Sequence, residues 1–335
     1  MQLTTLRELP PPPANKTGWP WTEECPPFPE LMPDGTVWPR ISIVTPSYNQ
    51  ADFLEATIRS ILLQRYPNLE YMVIDGGSQD DSISIIRKYE PWLAYWVSEP
   101  DRGQSHAINK GWERVSGELV AYLNSDDFYY PSAIGKVAEV WKKDPTVAVI
   151  AGGIAAVDET GCKLNEKRPF LRGASPLDLS LLDPSDWFLP QQSLFFVREH
   201  MDSVGRRLKE ELHYTMDREL MYRICQRGKI LLVDDTLAGD RHHSQSKRLS
   251  QTIRMYAEDG AALALCDWGG PQAVRQRKQV ARARLAQGHY YYSKRVPSRL
   301  SSFAHFSLAA FYRPSYLLQG KFARTIVSAL RRALK

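Results

Sequence analysis

Between residues 41 and 150 the sequence alternates short apolar runs with amphipathic segments of helical period, and this alternation constrains the fold most strongly. Runs that are apolar on both faces are typical of strands buried in a parallel sheet. The pattern therefore predicts an α/β fold, with a mostly parallel central sheet flanked by helices. The predicted strands are 41–44, 69–74, 93–97, 119–123 and 147–150, and the predicted helices are 52–64, 80–89, 104–115 and 132–142.

Four of these predicted strands run into polar, turn-rich segments. The segments read Thr-Pro-Ser-Tyr-Asn at 45–49, Asp-Gly-Gly-Ser at 75–78, Ser-Glu-Pro-Asp-Arg-Gly at 98–103 and Asn-Ser-Asp-Asp at 124–127. Ligands of open parallel sheets bind beyond the carboxyl ends of the strands. We therefore expect the functional site to be built from these four segments.

The segments before residue 41 and after residue 151 do not follow this regular alternation. Residues 1–40 are rich in proline, which predicts an extended arm lying over the body. After residue 151 the pattern becomes less regular, with a turn at 157–161, a strand at 193–197, a helix at 216–227 and a last strand at 230–233. We expect a proline-rich arm (1–40), a domain in two halves (41–150 and 151–248), and a basic helical C-terminal extension (249–335).

The charges divide unevenly along the chain. The net charge is +5, but the last 85 residues carry fifteen Lys or Arg against three acids, so a basic tail follows an acidic body. Since the positive charge is confined to this tail while the strand ends are acidic, nucleic-acid binding is disfavoured. Residues 321–335 have the pattern of a basic amphipathic helix, which predicts contact with an anionic membrane surface, with the protein's own domain or with a second subunit.

The four cysteines, Cys25, Cys162, Cys225 and Cys266, form no CxxC pair. This pattern argues against a disulfide framework and against a zinc ribbon, and it favours a reducing compartment. The start of the chain lacks a signal-peptide pattern, and no apolar run is long enough to span a bilayer. We therefore expect a cytoplasmic protein, with peripheral contact to the inner membrane face as a further option.

Asp126 and Asp127 are the strongest chemical signal in the sequence. They follow an apolar strand, so two adjacent carboxylates are placed at the edge of the sheet, where they repel each other. A divalent cation relieves this repulsion, and hard oxygen ligands suit Mg²⁺ or Mn²⁺ carried with a diphosphate. A solvated turn or a helix cap is the alternative interpretation.

Asp75 ends the second predicted strand, and the two glycines after it allow a tight turn. This turn explains the glycines and leaves Asp75 free to accept a hydrogen bond from a base or a ribose. The segment does not match GxGxxG, and the chain has no GxxxxGK[ST] loop. A nicotinamide cofactor and a P-loop phosphate site are therefore disfavoured.

Taken together, the four strand-end segments resemble those of a family 2 glycosyltransferase of GT-A fold, over roughly residues 38–248. The resemblance implies an enzyme that uses Mn²⁺ or Mg²⁺ and a nucleotide-diphosphate sugar such as a UDP- or GDP-sugar. It implies that Asp127 binds the metal, that Asp126 faces the ribose and that Asp75 contacts the base. It further places Thr45, Pro46, Tyr48, Asn49, Arg102 and Asn109, with Asp101, along the donor.

The later part of the chain resembles the same family. Asp217, at the start of a helix, matches the position of the family's general base, and Glu219 is the alternative if the register differs. A role as a helix cap is the other interpretation of Asp217. His243 matches a position near the diphosphate where a neutral imidazole completes the metal shell, and it fits better than His242. Residues 185–196 resemble the acceptor-side loop and strand. The resemblance therefore implies a nucleotide-binding half (41–150) and an acceptor half (151–248).

Two positions depart from the family pattern. Gly76 stands where many relatives have a second acid, so recognition of the base depends on fewer groups, and His106 stands where an acid is frequent. The resemblance implies an inverting, metal-dependent transferase acting on a glycan or lipid-linked acceptor in cell-surface polysaccharide synthesis. A non-catalytic sugar-nucleotide-binding or scaffold protein, which uses its basic tail for interaction, is the alternative.

Overall fold

The computed structural model describes residues 4–172, 179–182, 186–243, 252–264, 266, 270–293, 304–305, 307–309 and 311. The strands are β1 (Ile41–Ser47), β2 (Leu69–Asp75), β3 (Tyr95–Ser98), β4 (Leu119–Tyr122), β5 (Phe128–Tyr129), β6 (Val147–Val157), β7 (Lys163–Lys167), β8 (Phe170–Leu171), β9 (Trp187–Phe188), β10 (Leu194–Val197) and β11 (Lys229–Arg241). The helices are α1 (Ala51–Leu62), α2 (Ser82–Tyr89), α3 (Gln104–Trp112), α4 (Ala133–Lys143), α5 (Arg198–Ser203), α6 (Met216–Ile224), α7 (Thr252–Ala264) and α8 (Gly270–Ser293).

In the described part of the chain, the main sheet has nine strands, in the order β3-β2-β1-β4-β10-β6-β11-β5, with β7 paired to β6. The pairs β2–β3, β1–β2, β1–β4 and β6–β11 are parallel, whereas β10 runs antiparallel to both β4 and β6. The predicted α/β fold with a mostly parallel centre is confirmed. The carboxyl ends of β1, β2, β3 and β4 share one edge, because these four strands are adjacent and parallel.

The chain divides into two compact units. The first contains the described residues of 1–177, 187–210 and 223–243, and the second contains those of 178–186, 211–222 and 244–335. These bounds are a structural division of the chain. The domain boundaries expected from the sequence stay a prediction.

The core of the first unit lies between the sheet and its helices. β1 and β6 are buried over their whole length, as the continuous apolar runs predict. α1 buries one apolar stripe that includes Leu54, Ile58 and Ile61, and these side chains pack with the strand residues Ile41 and Ile43. Because α1 directly follows the end of β1, this packing fixes the loop between them at the edge of the sheet.

The proline-rich arm is described from residue 4 and lies against the first unit. Leu9, Met32 and Trp38 are buried in the same core cluster as α1, and Trp19 and Phe28 pack on its edge. Phe28, Trp38 and Tyr66 contact one another edge to face. The arm therefore covers apolar surface of the sheet domain, as expected for an ordered extended segment.

In the second unit, α7 and α8 are helices whose buried residues include Ala262, Leu263, Val280 and Ala286. Residues 321–335, for which the sequence predicts a basic amphipathic helix, lie outside the described residues. In the part of the chain that the structure describes, no helix combines the length and the hydropathy needed to cross a membrane.

One strand differs from the sequence-based expectation in length. The last strand was expected at 230–233, but β11 continues to Arg241 with irregular register at Leu232–Thr236 and again at Thr236–Ala238. The sequence pattern does not predict this continuation, because a polar pair such as Asp234 and Asp235 usually marks a turn. The longer strand carries Asp240 and Arg241 to the pairing edge of β5, which directly follows Asp126 and Asp127.

Candidate active site

The carboxylate of Asp75 organises the turn after β2. It is fully buried and accepts hydrogen bonds from the backbone N–H of Gly77 at 3.1 Å and of Ser78 at 2.8 Å. The hydroxyls of Ser78 (2.5 Å) and Ser98 (2.7 Å) donate to it as well. Gly77 has a φ of +83°, which explains the requirement for glycine there. Asp75 thus has a definite structural role, and its contact with a base stays a prediction.

The loop after β1 is tied to the same turn. The backbone N–H of Asn49 donates to Ser78 Oγ at 2.8 Å, and Asn49 Oδ1 accepts from the backbone N–H of Gln79 at 2.8 Å. The hydroxyl of Tyr71 donates to Thr45 Oγ1 at 3.1 Å in the core, whereas Tyr48 is 59% exposed. The structure therefore brings the first two strand-end loops together and leaves the Tyr48 ring open to a ligand.

The loop after β3 approaches the Asp75 turn closely. A Cβ atom placed on Gly76 would lie 2.6 Å from Oδ2 of Asp101, so the Asp101 carboxylate occupies the space that a side chain at position 76 would need. The backbone N–H of Gly103 donates to Asp101 Oδ1 at 2.7 Å and fixes its orientation. An acidic group therefore lies beside the Asp75 turn even though residue 76 itself is glycine.

Arg102 and Asn109 share one partner, Glu210. Arg102 donates to Glu210 Oε2 from Nε (3.0 Å) and from a terminal nitrogen (2.6 Å), while its side chain remains 65% exposed. Asn109 is buried and exchanges two hydrogen bonds with the backbone of Leu208, at 2.8 and 3.0 Å. The hydrogen bonds from Arg207, Arg102 and Asn109 lower the pKa of Glu210 to about 2. The donor contacts of Arg102 and Asn109 stay predictions.

The segment that carries Asp126 and Asp127 follows β4 and is anchored through its backbone. Thr57, which is buried on α1, donates from Oγ1 to the carbonyl oxygens of Asp127 at 2.6 Å and Ser125 at 2.9 Å. Asp127 is 3% exposed, and its Oδ1 accepts the backbone N–H of Arg241 at 2.9 Å. Asp126 is more open, with its side chain 23% exposed.

Arg241 holds the same segment from the end of β11. Its Nε donates to the carbonyl oxygen of Asp126 at 2.9 Å, and a terminal nitrogen donates to the carbonyl oxygen of Glu159 at 2.8 Å. The guanidinium lies near the faces of Phe53 and Phe128, at 5.2 and 5.4 Å from the ring centres. Burial lowers the pKa of Arg241, and the neighbouring carboxylates act in the opposite direction. Arg241 therefore supports the backbone of this segment.

His243 lies beside Asp126. Its Nε2 is 3.0 Å from Asp126 Oδ2, its side chain is 3% exposed, and its ring lies 4.7 Å from that of Phe53. His242 pairs with Asp240 instead, at 3.3 Å. The sequence assigned the metal to Asp127 and His243 and the ribose to Asp126, and these assignments stay predictions. The contact that the structure shows for His243 is with Asp126.

These side chains fit a divalent metal ion by the chemistry of their donor atoms. Carboxylate oxygens suit Mg²⁺ and Mn²⁺, and imidazole nitrogen is a common metal ligand. Among the described residues, no group of three or more His, Cys, Asp or Glu side chains is arranged to hold a metal by itself. A metal here would therefore need further oxygen ligands from a substrate or from water.

A chain of side-chain amides links this site to the predicted acceptor-side segment. Gln104 Nε2 donates to Asn124 Oδ1 at 2.6 Å, and Asn124 Nδ2 donates to Gln191 Oε1 at 3.3 Å. Gln191 Nε2 in turn donates to the carbonyl oxygen of Tyr122 at 2.9 Å, and Gln192 Nε2 donates to Asp240 Oδ1 at 2.9 Å. Residues 190–193 are thus fixed to the ends of β4 and β11.

Asp217 belongs to the second unit and lies in the first turn of α6. Burial raises the pKa of its carboxyl, and the charge of Arg218 acts in the opposite direction. Arg218 Nε donates to Asp259 Oδ1 at 3.1 Å, and Asp259 also accepts from Tyr222 at 2.6 Å. Burial is the largest effect and the charge of Asp259 acts in the same direction, so the pKa of Asp217 is raised. A raised pKa is the property expected of a general base, although the assignment stays a prediction.

Three supporting residues were not identified from the sequence. Thr57 and Arg241 support the Asp126–Asp127 segment as described, and the indole N–H of Trp19 donates to the carbonyl oxygen of Tyr129 at 2.7 Å. Helical spacing places Thr57 on the buried face of α1, which was a usable signal. Trp19 is 110 residues from its partner in the chain, and no local pattern could have paired them.

Known proteins share both the sequence pattern and the fold. The sequence model described as "Glycosyl transferase family 2" matches residues 42–202. An uncharacterized glycosyltransferase of Rickettsia felis is 30% identical over 218 residues, which cover 63% of this chain and 36% of that protein. One from Mycobacterium tuberculosis is 32% identical over 173 residues, which cover 50% of this chain and 62% of that protein. The chain thus spans about a third to three fifths of these relatives.

Solved structures show the same fold at low sequence identity. A mannosyltransferase from Pyrobaculum calidifontis, in complex with GDP-Man and Mn²⁺, superposes with a TM-score of 0.57 at 19% identity and covers 90% of this chain and 82% of its own. Residues 1–349 of TarS from S. aureus, in complex with UDP-GlcNAc, give a TM-score of 0.57 at 15% identity, with 83% and 91% coverage. Residues 42–202 thus match the sequence model of glycosyltransferase family 2, and the fold of the chain is the GT-A fold of these solved structures.

Proposed function

We propose that the chain transfers a sugar from a nucleotide-diphosphate donor to an acceptor hydroxyl, with inversion at the anomeric carbon and with a divalent metal ion. The observation that carries this proposal is the position of Asp126. Its partly exposed carboxylate lies 3.0 Å from the His243 imidazole, at the same edge of the sheet as the other strand-end loops. Acidic and imidazole ligands at such an edge suit a metal-bound diphosphate.

The donor would lie along the four strand-end loops. Solved relatives carry GDP-Man or UDP-GlcNAc, which supports a GDP- or UDP-sugar as the donor class for this chain. The exposed ring of Tyr48 offers a face for stacking, and the Asp75 turn offers polar groups for the base. The other proposed donor contacts are Thr45, Pro46, Asn49, Arg102, Asn109 and Asp126.

Asp127 and His243 are the side chains that would hold Mn²⁺ or Mg²⁺, with Asp126 beside them on the ribose of the donor. When bound, such an ion supplies positive charge next to the leaving diphosphate. Asp127 stays oriented without the ion, because Arg241 donates its backbone N–H to Oδ1. The protein therefore has the ligand oxygen in place before the substrate arrives, which lowers the cost of binding.

Asp217 is the proposed general base. It would accept the proton of the acceptor hydroxyl while the acceptor oxygen forms its bond to the anomeric carbon. In the same displacement the bond from that carbon to the diphosphate oxygen breaks, and the nucleoside diphosphate leaves with the electron pair. A single displacement inverts the anomeric centre, so an α-linked donor gives a β-linkage. The raised pKa of Asp217 supports this role.

The acceptor class is proposed from the family alone. A glycan or a lipid-linked glycan in cell-surface polysaccharide synthesis is the acceptor that we propose, with residues 190–193 on its side of the site. The C-terminal helices would contact an anionic inner membrane face or a second copy of the chain. In α8, Arg275, Lys278 and Arg282 are exposed on one face, and α8 contains no acidic residue.

The test is a transfer assay with a panel of nucleotide sugars in the presence of Mn²⁺. Thermal stabilisation of the protein first identifies the donor, because a ligand that binds only the folded state raises the melting temperature by mass action. Donor hydrolysis or transfer then distinguishes an enzyme from a non-catalytic sugar-nucleotide-binding protein. Stabilisation by a donor with no turnover for any acceptor would favour the non-catalytic alternative, and the absence of any stabilisation would reject the donor site.

A further inference from the structure

The backbone of the segment from Ser125 to Tyr129 is held by side chains at four of its carbonyl oxygens. Thr57 binds those of Ser125 and Asp127, and Arg241 binds that of Asp126. The fourth contact comes from Trp19, whose indole N–H donates to the carbonyl oxygen of Tyr129 at 2.7 Å. Among these three donors, Trp19 is the one that belongs to the N-terminal arm.

The Trp19 ring also packs beside the same segment. It lies against the small cluster of Phe128, Ala155 and Val157, in which Phe128 directly follows Asp127. The ring thus packs on a cluster that includes one residue of the segment, while its N–H binds the backbone of the next residue. A contact of both kinds limits rotation and sliding of the segment more than a single hydrogen bond does.

The arm itself is fixed on both sides of this contact. Arg59 on α1 is fully buried, and its guanidinium donates to the carbonyl oxygens of Pro20 (3.0 Å), Trp21 (2.9 Å) and Pro10 (2.8 Å). A buried guanidinium without such acceptors would be costly, so these bonds set the register of the arm firmly. Two of the acceptors directly follow Trp19 in the chain, and they hold the indole in place.

A second contact follows a few residues later. The backbone N–H of Cys25 donates to the carbonyl oxygen of Leu63 at 3.0 Å, and Cys25 Sγ accepts the backbone N–H of Ser132 at 3.1 Å. Trp19 and Cys25 of the arm therefore bind the two ends of residues 129–132, which begin two residues after Asp127. The matched family region begins only at residue 42, so the arm lies outside it.

We propose that Trp19 is a positioning residue for the donor site, and that the N-terminal arm holds the Asp126–Asp127 segment of that site in place. Trp19 fixes the carbonyl oxygen of Tyr129 and packs on the cluster that contains Phe128, and through these contacts it holds the orientation of the Asp126 and Asp127 carboxylates. The expected consequence is tighter binding of the metal and the nucleoside diphosphate, and this consequence rests on the proposed function. The local contact itself is independent of that function.

The test compares Trp19→Phe with Trp38→Phe in the full-length chain. Both substitutions keep an aromatic ring and remove one indole N–H, but Trp38 donates to the carbonyl oxygen of Pro29 inside the arm, at 2.9 Å. The control therefore loses the same kind of bond at a site away from Asp126 and Asp127. Amide hydrogen exchange over residues 124–130, Mn²⁺-dependent binding of UDP and GDP, and the melting temperature are measured for each variant.

We expect Trp19→Phe to speed exchange over residues 124–130 and to weaken Mn²⁺-dependent nucleotide binding, each by about three- to tenfold, as for one lost hydrogen bond. Trp38→Phe should change neither quantity, even where it lowers the melting temperature as much. If Trp19→Phe cannot be purified in folded form, Trp19→Met allows the same comparison, because a flexible apolar side chain without a donor fills the space.

The outcomes separate this inference from the proposed function. Equal exchange over residues 124–130 in the two variants would overturn the positioning role. Faster exchange with unchanged nucleotide affinity would also overturn it, because the segment would then move without consequence for the carboxylates. If the wild-type chain binds no nucleotide with any metal, the proposed function fails, and the exchange comparison still decides whether Trp19 holds the segment.

Discussion

The imidazole of His243 lies 3.0 Å from the carboxylate of Asp126, although 117 residues separate the two in the chain. The contact exists because β11 continues past its predicted end to Arg241 and pairs with β5, so His243 returns to the loop after β4. The contact brings the imidazole proposed as a metal ligand next to the carboxylate proposed to face the ribose. Local sequence patterns could not predict this contact, because the two residues are far apart in the chain.

The first prediction concerns this pair. His243→Asn should raise the Mn²⁺ concentration needed for half-maximal nucleotide binding by about tenfold or more, because removal of groups that support a metal commonly costs 10- to 100-fold in affinity. Isothermal titration with Mn²⁺ at a fixed UDP or GDP concentration measures the change. The affinity for the nucleotide without metal should stay the same.

His242→Asn is the matched control for this experiment. His242 pairs with Asp240 at 3.3 Å and its side chain is 31% exposed, so its loss should leave the metal dependence unchanged. An equal effect of the two substitutions would show that His243 acts through general charge rather than as a ligand. No effect of His243→Asn would remove it from the metal shell.

The second prediction concerns Asp217. Asp217→Asn should lower the rate of transfer by at least about 100-fold, as for the loss of a general base, while binding of the donor persists. Glu219→Gln tests the alternative register. Loss of transfer in Glu219→Gln with retention in Asp217→Asn would move the base to Glu219.

The raised pKa of Asp217 also gives a prediction for stability. Because burial disfavours its charged form, the folded protein loses stability as the pH rises from the unfolded pKa of the carboxyl to its higher folded value. Above that range the cost is fully present, and Asp217→Asn removes it. The variant should therefore be at least as stable as the wild type at neutral pH, measured by urea unfolding. A clearly less stable variant would mean that the Asp217 carboxylate stabilises the fold.

The sequence predicted the framework of the site but not its supports. The β–α alternation placed β1 to β4 and the loops at their carboxyl ends within a few residues, because apolar runs and helical periods are local properties. The role of Asp75 in its own turn was only partly predictable, since Ser98 comes from the next strand. Trp19 and Arg241 could not be assigned, because their acceptors lie far away in the chain.

The fourth prediction concerns Gly76. Gly76→Ala should weaken donor binding several-fold with little loss of stability, because the new Cβ would lie 2.6 Å from Asp101 Oδ2 and would push that carboxylate aside. A flexible carboxylate can rotate away, so the fold tolerates the change. Thermal shift with the donor and melting without it separate the two effects.

A double-mutant cycle with Asp101→Ala provides the control for Gly76. If the effect of Gly76→Ala acts through Asp101, it should disappear in the Asp101→Ala background, because no carboxylate remains to be displaced. Additive losses of donor affinity would instead place the effect of Gly76 on the backbone of the Asp75 turn.

The last prediction concerns Thr57, whose hydroxyl is the buried donor to the carbonyl oxygens of Ser125 and Asp127. Thr57→Val keeps the shape but leaves these oxygens without that donor, so it should lower the free energy of unfolding by about 1–3 kcal/mol. Thr57→Ser keeps the hydroxyl and loses one methyl group, at a cost of about 1 kcal/mol. Urea unfolding measures both variants, and nucleotide binding should weaken in Thr57→Val alone. If Thr57→Ser loses as much nucleotide affinity as Thr57→Val, the packing of α1, and not the hydroxyl, holds the Asp126–Asp127 segment.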